Sequence, residues 1–277
     1  TELEKQATQS RRDILRMVYE VQSGHIGGSL GCIDYMTALF AEIMNRKPNQ
    51  FRLDGKNQDM FFLSNGHITP ALYSSLARTG YFYVKELATF RLLKSRLQGH
   101  PSVSDQLPGI HVASGSLGQG ISVAVGAAEA KKLNADSSLV HVLVGDGELQ
   151  EGQNWEALMY AGGKNLDNII LTIDYNQKQI DGSIEEVLDL GNLKLKLEAF
   201  GWHVIEGNGN DMAEVLSTLK QAQSLCGKQK PIAWLMKTEM GYGVDFMMGT
   251  HKWHGTPPNK EQFDAAIAQI EETLTDY

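Results

Sequence analysis

Apolar positions follow a helical spacing over residues 8–23, where Ile14, Val18 and Val21 share one stripe. A second helical pattern runs from about Ile33 to Met44 and stops before Pro48. Short apolar runs with the character of buried strands come later, at Asp59–Leu63, Leu139–Val144, Ile169–Ile173, Trp202–Ile205 and Ile232–Met236. Helical segments separate them. One opens at Thr69-Pro70, read as an N-cap followed by a first-turn proline, and closes at Gly80. Others are expected near 84–93, after Gly120, around Trp155–Met159, near 192–200, from Asp211 with Glu214 in a capping box, and from about 260. Strands alternating with helices predict an α/β fold, a predominantly parallel sheet with helices on both faces. No repeat, low-complexity tract or linker breaks the pattern, so residues 1–277 are expected to form one domain.

The strands end in polar turns: Ser64-Asn65-Gly66-His67, Gly145-Asp146-Gly147, Asp174-Tyr175-Asn176, and the loop Thr238–Pro258. Ligands of open parallel sheets bind outside the carboxyl ends of strands. A right-handed strand–helix–strand unit brings Asp146 and Asn176 to one rim, although many residues separate them. One carboxylate, one amide oxygen and a turn carbonyl form a partial hard-oxygen site, suited to Mg²⁺ shared with substrate phosphates. A bare Gly-Asp-Gly also occurs in ordinary turns; with a buried strand before it and Asn after the next strand, it is more specific.

Of eight histidines, His141 and His203 sit mid-strand in apolar company and read as structural. The other six, His25, His67, His100, His111, His251 and His254, lie beside glycine or proline turns or in irregular tracts. That placement suits proton transfer, or neutral donors for sugar hydroxyls and phosphate. The long irregular tract Lys94–Gly115 belongs with them, since such segments in compact domains are more often functional than idle. The helix after Gly120 is rich in small residues (Ala124, Gly126, Ala127, Ala128, Ala130), which fits tight internal packing and a subunit interface equally.

Composition narrows the classes. A chain of 277 residues buries roughly 75% of its unfolded surface, enough for a large core. The net charge of −8 argues against general nucleic-acid binding. Cys32 and Cys226 give neither a disulfide framework nor zinc spacing, so a reducing cytoplasm is expected. No apolar run approaches the ~18 residues of a membrane span, and no signal peptide is visible.

Six motifs occur together and in order: Ser23-Gly24-His25, Leu63-Ser64-Asn65-Gly66-His67, Gly99-His100-Pro101, Gly115-Ser116-Leu117-Gly118-Gln119-Gly120, Gly145-Asp146-Gly147 with Asn176, and Gly249-Thr250-His251. In this order and approximate spacing the chain resembles the N-terminal, thiamine-diphosphate-binding domain of transketolase over nearly its whole length. The resemblance implies that Asp146, the Asn176 side chain and the Lys178 backbone carbonyl hold Mg²⁺, or another divalent cation such as Ca²⁺ or Mn²⁺. It implies that Gly147 and Asn176 face the diphosphate, that Gly115, Ser116 and Leu117 meet the ring system, and that His67 and His251 lie against the cofactor. His25, His100 and His251 would line the entrance and handle substrate hydroxyl protons, and Glu151 would couple paired cofactor sites near a subunit interface. Lys178 stands where the family is usually apolar, and Ile26 where it usually has proline, which is expected to loosen the turn after His25.

A complete transketolase continues into a pyrimidine-binding domain, which supplies the glutamate that activates the cofactor, and a third domain. The expectation is therefore a split enzyme. This chain would bind the diphosphate, and a separate C-terminal transketolase subunit would complete an α2β2 assembly. The implied reaction passes a two-carbon ketol unit from a ketose phosphate to an aldose phosphate, as in the pentose phosphate pathway. Among the alternatives are the α subunit of a two-chain 2-oxoacid dehydrogenase, which shares the Gly-Asp-Gly…Asn logic, and a non-catalytic cofactor-binding subunit. The Ser-Gly-His, Ser-Asn-Gly-His and Gly-His-Pro motifs favour a sugar substrate over a 2-oxoacid.

Overall fold

The computed structural model describes residues 1–277. Its first helix, α1 (Glu2–Val21), starts earlier than the apolar stripe because Thr1 caps it. The Thr1 hydroxyl accepts the Glu4 backbone N–H, and Glu4 reaches back in a capping box. Ile14, Leu15 and Val18 on its inner face are fully buried, each worth about 1.5–3 kcal/mol of transfer free energy.

The second helix departs further from expectation. α2 (Ile26–Ala38) runs straight through Gly27, Gly28 and Gly31 and continues into a wider π-helical turn, Leu39–Ile43. Each helical glycine costs about 1 kcal/mol against alanine. Tertiary packing offsets it: a Cβ on Gly27 would lie 2.5 Å from Met240, and one on Gly31 3.0 Å from the Glu239 carbonyl. Ile26 is fully buried at the first helical position, so the turn after His25 is not loosened.

Strands β1 (Met60–Leu63), β2 (Val140–Gly145), β3 (Ile169–Tyr175), β6 (His203–Asn208) and β7 (Ile232–Lys237) form one sheet in the order β1-β2-β3-β7-β6, and every pair in it is parallel. A two-stranded ribbon, β4 (Lys178–Gln179) with β5 (Gly182–Ser183), projects beyond β3. The helices completing the chain are α3 (Thr69–Arg78), α4 (Gly120–Leu133), α5 (Gly152–Gly163), α6 (Ile184–Leu188), α7 (Leu193–Ala199), α8 (Met212–Leu225) and α9 (Lys260–Gln269). One apolar cluster gathers buried residues of α1, α2, α3 and α8 on one face of the sheet. Another gathers residues of α4, α5 and α7 on the opposite face. The sheet is thus parallel and covered on both sides, as the alternation of periods indicates.

Three smaller expectations change. In α3, Ile68 is the capping residue, and Thr69 and Pro70 both lie inside the first turn. The segment near 84–93 holds only a 3₁₀ stretch, Val84–Thr89. His203 is exposed at the start of β6, whereas His141 is buried between β1 and β3 with neither ring nitrogen paired. No helix is long and apolar enough to cross a membrane.

Register positions the site. Gly145 is level with Asp174, and Asp174 with Met236. The carboxyl ends of β2, β3 and β7 therefore finish side by side, and the polar turns beyond them share one edge.

Candidate cofactor and active site

A cavity of about 400 Å³ opens at this edge. Its wall is polar; Leu117, Ile180 and Met240 are the only apolar residues in it. β2 runs out at Gly145, and Asp146 caps the short turn Gly147–Gln150. One Asp146 oxygen accepts the Gly147 N–H at 2.8 Å, and the other accepts the Gln177 N–H at 2.5 Å from the loop after β3. The two turns inferred to share a rim are therefore joined directly. In the second turn, Asn176 Nδ2 donates to Asp174 at 2.8 Å, and Asn176 Oδ1 accepts the Lys178 N–H at 2.9 Å.

This corner holds two buried carboxyls and no basic partner for either. Asp146 and Asp174 are 1% and 3% exposed, and neither meets a basic side chain. Burial, then the neighbouring Asp174, pushes the Asp146 carboxyl well above its ordinary range; burial likewise raises Asp174. The Thr238 hydroxyl also donates to Asp174. No three His, Cys, Asp or Glu side chains gather into a cage for an ion. One buried carboxylate, one amide oxygen and a turn carbonyl fit a hard divalent cation whose other ligands come from phosphate and water. The buried Asn65 Oδ1 and Gln179 Oε1 are also unpaired, on two residues of the same wall.

Across the cavity stand the imidazoles. Ring centroids of His25 and His67 lie 4.8 Å apart, His67 and His254 5.2 Å, and His25 and His254 5.5 Å. Burial, then His254, Arg91 and His100, holds His25 down at about 4, and burial depresses His67, His100 and His254 as well. At neutral pH the cluster is uncharged, so each ring offers one donor and one acceptor. Gly115 has φ +131°, and a Cβ there would lie 2.5 Å from the His100 ring; only glycine lets this loop lie against His100.

The sequence-derived residues His25, His67, His100, Gly115, Leu117, Asp146, Gly147, Glu151, Asn176 and Lys178 all line this one cavity. Ser116 does not: it is exposed, with its hydroxyl accepting Gln119 Nε2 at 3.3 Å. His251 also lies outside the wall, and His254 stands in its place. The reason is the 3₁₀ turn His251–Trp253, anchored by buried Trp253 whose indole N–H donates to the Phe246 carbonyl at 3.0 Å. His111 is elsewhere, packed against Phe51 and Phe62. Lys178 turns its ammonium to Glu239 at 3.3 Å, and Glu239 also accepts the Gly249 N–H at 2.8 Å.

Several wall residues escaped the sequence reading. Asn65 and Asp174 stood inside motifs already singled out; His254 was among the six turn histidines but was given no role at the site. Glu148, Gln179 and Met240 carried no signal, because an acid in a turn, a glutamine in a ribbon and a methionine in a loop are ordinary.

Comparison with known proteins agrees with this geometry. A family described as "Transketolase, thiamine diphosphate binding domain" matches residues 4–272. An apulose-4-phosphate transketolase subunit of Phocaeicola vulgatus is 37% identical over 272 residues, covering 98% of this chain and 95% of its own. The 6-deoxy-6-sulfo-D-fructose transketolase subunit SqwG of Clostridium sp. (strain MSTE9) is 37% identical over 270 residues, covering 98% of this chain and 96% of its own. The solved transketolase of Leishmania mexicana superposes with a TM-score of 0.89 at 31% identity, and covers 100% of this chain but only 43% of its own. The chain thus spans about two fifths of a one-chain transketolase and nearly all of the relatives named as subunits. It belongs to the transketolase family, as a member of its thiamine-diphosphate-binding domain.

Proposed function

We propose that this chain is the cofactor-anchoring subunit of a two-chain transketolase, with thiamine diphosphate and a divalent cation in the cavity described above. The observation that carries the reading is the Asp146–Asn176 corner, a buried carboxylate beside an oriented amide with no protein cation to balance it. Asp146, Asn176 Oδ1 and the Lys178 carbonyl would hold Mg²⁺, or Ca²⁺ or Mn²⁺ in its place. Gly147 and Asn176 would face the diphosphate, and His67, Gly115 and Leu117 the rings.

Bound there, thiamine diphosphate supplies the carbon centre that carries a two-carbon unit between sugars. The chain's own part is to orient and to move protons. His25, His100 and His254, held neutral by burial, take the proton of the ketose hydroxyl that becomes the departing aldose's carbonyl, and give a proton to the hydroxyl that forms from the arriving aldose's carbonyl. His254 takes the role expected of His251, because it is the one in the wall.

Near-complete coverage of relatives named as transketolase subunits supports a separate partner carrying the pyrimidine-binding domain, in an α2β2 assembly. Those relatives are named for different sugars at the same identity, so the reading stops at a ketose donor and an aldose acceptor, each phosphorylated or comparably anionic. The test is calorimetric titration of thiamine diphosphate into the full chain with and without Mg²⁺, and with Asp146→Ala. Metal-dependent binding lost in Asp146→Ala is expected. Binding that ignores both the metal and that substitution sinks the assignment. Cofactor binding without ketol transfer in the assembled enzyme points instead to a non-catalytic subunit.

A further inference from the structure

One wall residue has no assigned part in binding or proton transfer and yet joins three separate loops. Glu148 follows Gly147 in the turn after β2 and is 2% exposed. Its Oε1 accepts the Ser64 hydroxyl at 2.5 Å from the loop after β1, and the Gly118 N–H at 2.8 Å from the loop before α4. Its Oε2 accepts the Gly145 N–H at 3.2 Å. No Lys or Arg pairs with it, and burial raises its pKa against the pull of the three donors. Its own carbonyl takes Asn154 Nδ2 at 2.5 Å, which fixes the turn to α5.

A carboxylate without a counter-ion is a costly way to fasten loops, since an unpaired buried charge is penalised unless several donors converge on it. Here three donors converge, and each belongs to a different piece of the cavity wall. Ser64 precedes Asn65 and His67, Gly118 follows Gly115 and Leu117, and Gly145 precedes Asp146 and Gly147. These pieces come from distant parts of the chain, and no direct backbone hydrogen bond ties the Gly118 loop to the Gly145 turn.

We propose that Glu148 is the positioning residue of the cradle: its carboxyl group, accepting three donors, sets the spacing between the diphosphate turn, the Gly115–Leu117 loop and the Asn65–His67 loop. The proposal rests on the cofactor reading given above and adds a residue that touches neither metal nor substrate. An ionised carboxylate accepts on both oxygens, whereas glutamine presents a donor on one side. Glu148→Gln therefore sets an N–H against the donor of Ser64, Gly118 or Gly145 while keeping size and shape.

Two measurements on the full chain separate the outcomes. The first is hydrogen exchange without cofactor. Glu148→Gln and, as a milder change, Ser64→Ala are expected to speed exchange at least tenfold in the peptides spanning 64–67 and 114–120, leaving β3 unchanged. The second is thiamine diphosphate titration with saturating Mg²⁺. Affinity is expected to fall at least tenfold in Glu148→Gln and about threefold in Ser64→Ala, with the effects of the double variant less than additive. Loosened loops with wild-type affinity make Glu148 merely structural and overturn the proposal, as do loops that do not loosen. A wild-type chain that fails to bind the cofactor overturns the cofactor reading and this proposal together. Wild-type binding lost in Asp146→Ala but retained in Glu148→Gln overturns the proposal alone.

Discussion

At the residue scale the site is governed by charge taken out of water. Asp174 touches the cavity and holds Asn176 by its amide N–H₂, which leaves a cation the second lone pair of Oδ1, the first being taken by the Lys178 N–H. Outer partners of this kind typically control metal affinity by about 10–100-fold. Asp174→Asn is expected to weaken Mg²⁺-dependent cofactor binding in that range, read by calorimetry at varied Mg²⁺, and an unchanged Mg²⁺ requirement would falsify that role. The imidazoles give a second expectation. His25 and His111 are both held at about 4, chiefly by burial, below the ordinary imidazole value near 6.5. Between those values the unfolded chain binds the extra protons. Their contribution to stability is therefore complete above about pH 6.5 and is lost as the pH falls towards 4. The buried carboxylates, with raised values, act in the opposite direction, so the difference between variants is the clean reading. His111→Phe should flatten the fall in thermal midpoint between pH 6.5 and 4; an identical slope rejects the assignment. His25, Asp146 and Asn176 were legible in the sequence because glycine turns and strand ends flag such residues. Glu148 was not, because its role depends on donors far away in the chain.

At the element scale, the sheet was legible and the helix ends were not. β-strands announce themselves by dense apolar runs, and all five long strands lie within a few residues of where those runs fall. α2 was misplaced by its glycines, whose intrinsic cost is overruled by the close approach of residues 239–240. The 3₁₀ turn His251–Trp253 was invisible for a similar reason: it is decided by where Trp253 is buried, and that moves the cavity histidine to His254. Helix packing supplies its own test. Asp13 in α1 is buried and takes two hydrogen bonds from Arg78 in α3, at 2.6 Å and 2.8 Å, and one from Ser74 at 2.8 Å. Removing one member of a buried ion pair strands the other and typically costs 3–5 kcal/mol. Arg78→Leu should lower the unfolding free energy by about that amount in urea titration. A loss under about 1 kcal/mol would mean that the pair is not what fastens α1 to α3.

At the scale of the whole molecule, the decisive feature is a cavity with one well-made end. The end holding Asp146, Asn176 and Glu148 is buried and densely hydrogen-bonded, whereas only Leu117, Ile180 and Met240 offer apolar cover for a pair of rings. A cofactor seated by its diphosphate alone would leave much of its ring surface against water, and the relatives of matching span are named as subunits. The enzyme is therefore expected to appear only on assembly. The full chain should take up thiamine diphosphate weakly and show no ketol transfer. Mixing with a pyrimidine-domain partner should raise cofactor affinity at least tenfold, start turnover, and give equal numbers of both chains by sedimentation analysis. Ile180 sits 60% exposed at the cavity lip, with Val187 and Leu188 exposed on the helix just beyond it. Ile180→Asp should therefore weaken assembly without changing Mg²⁺ dependence, since burying an unpaired carboxylate at an interface is costly. Ketol transfer by the purified chain alone would dismiss the two-chain enzyme. Assembly unaffected by Ile180→Asp would place the partner on another face.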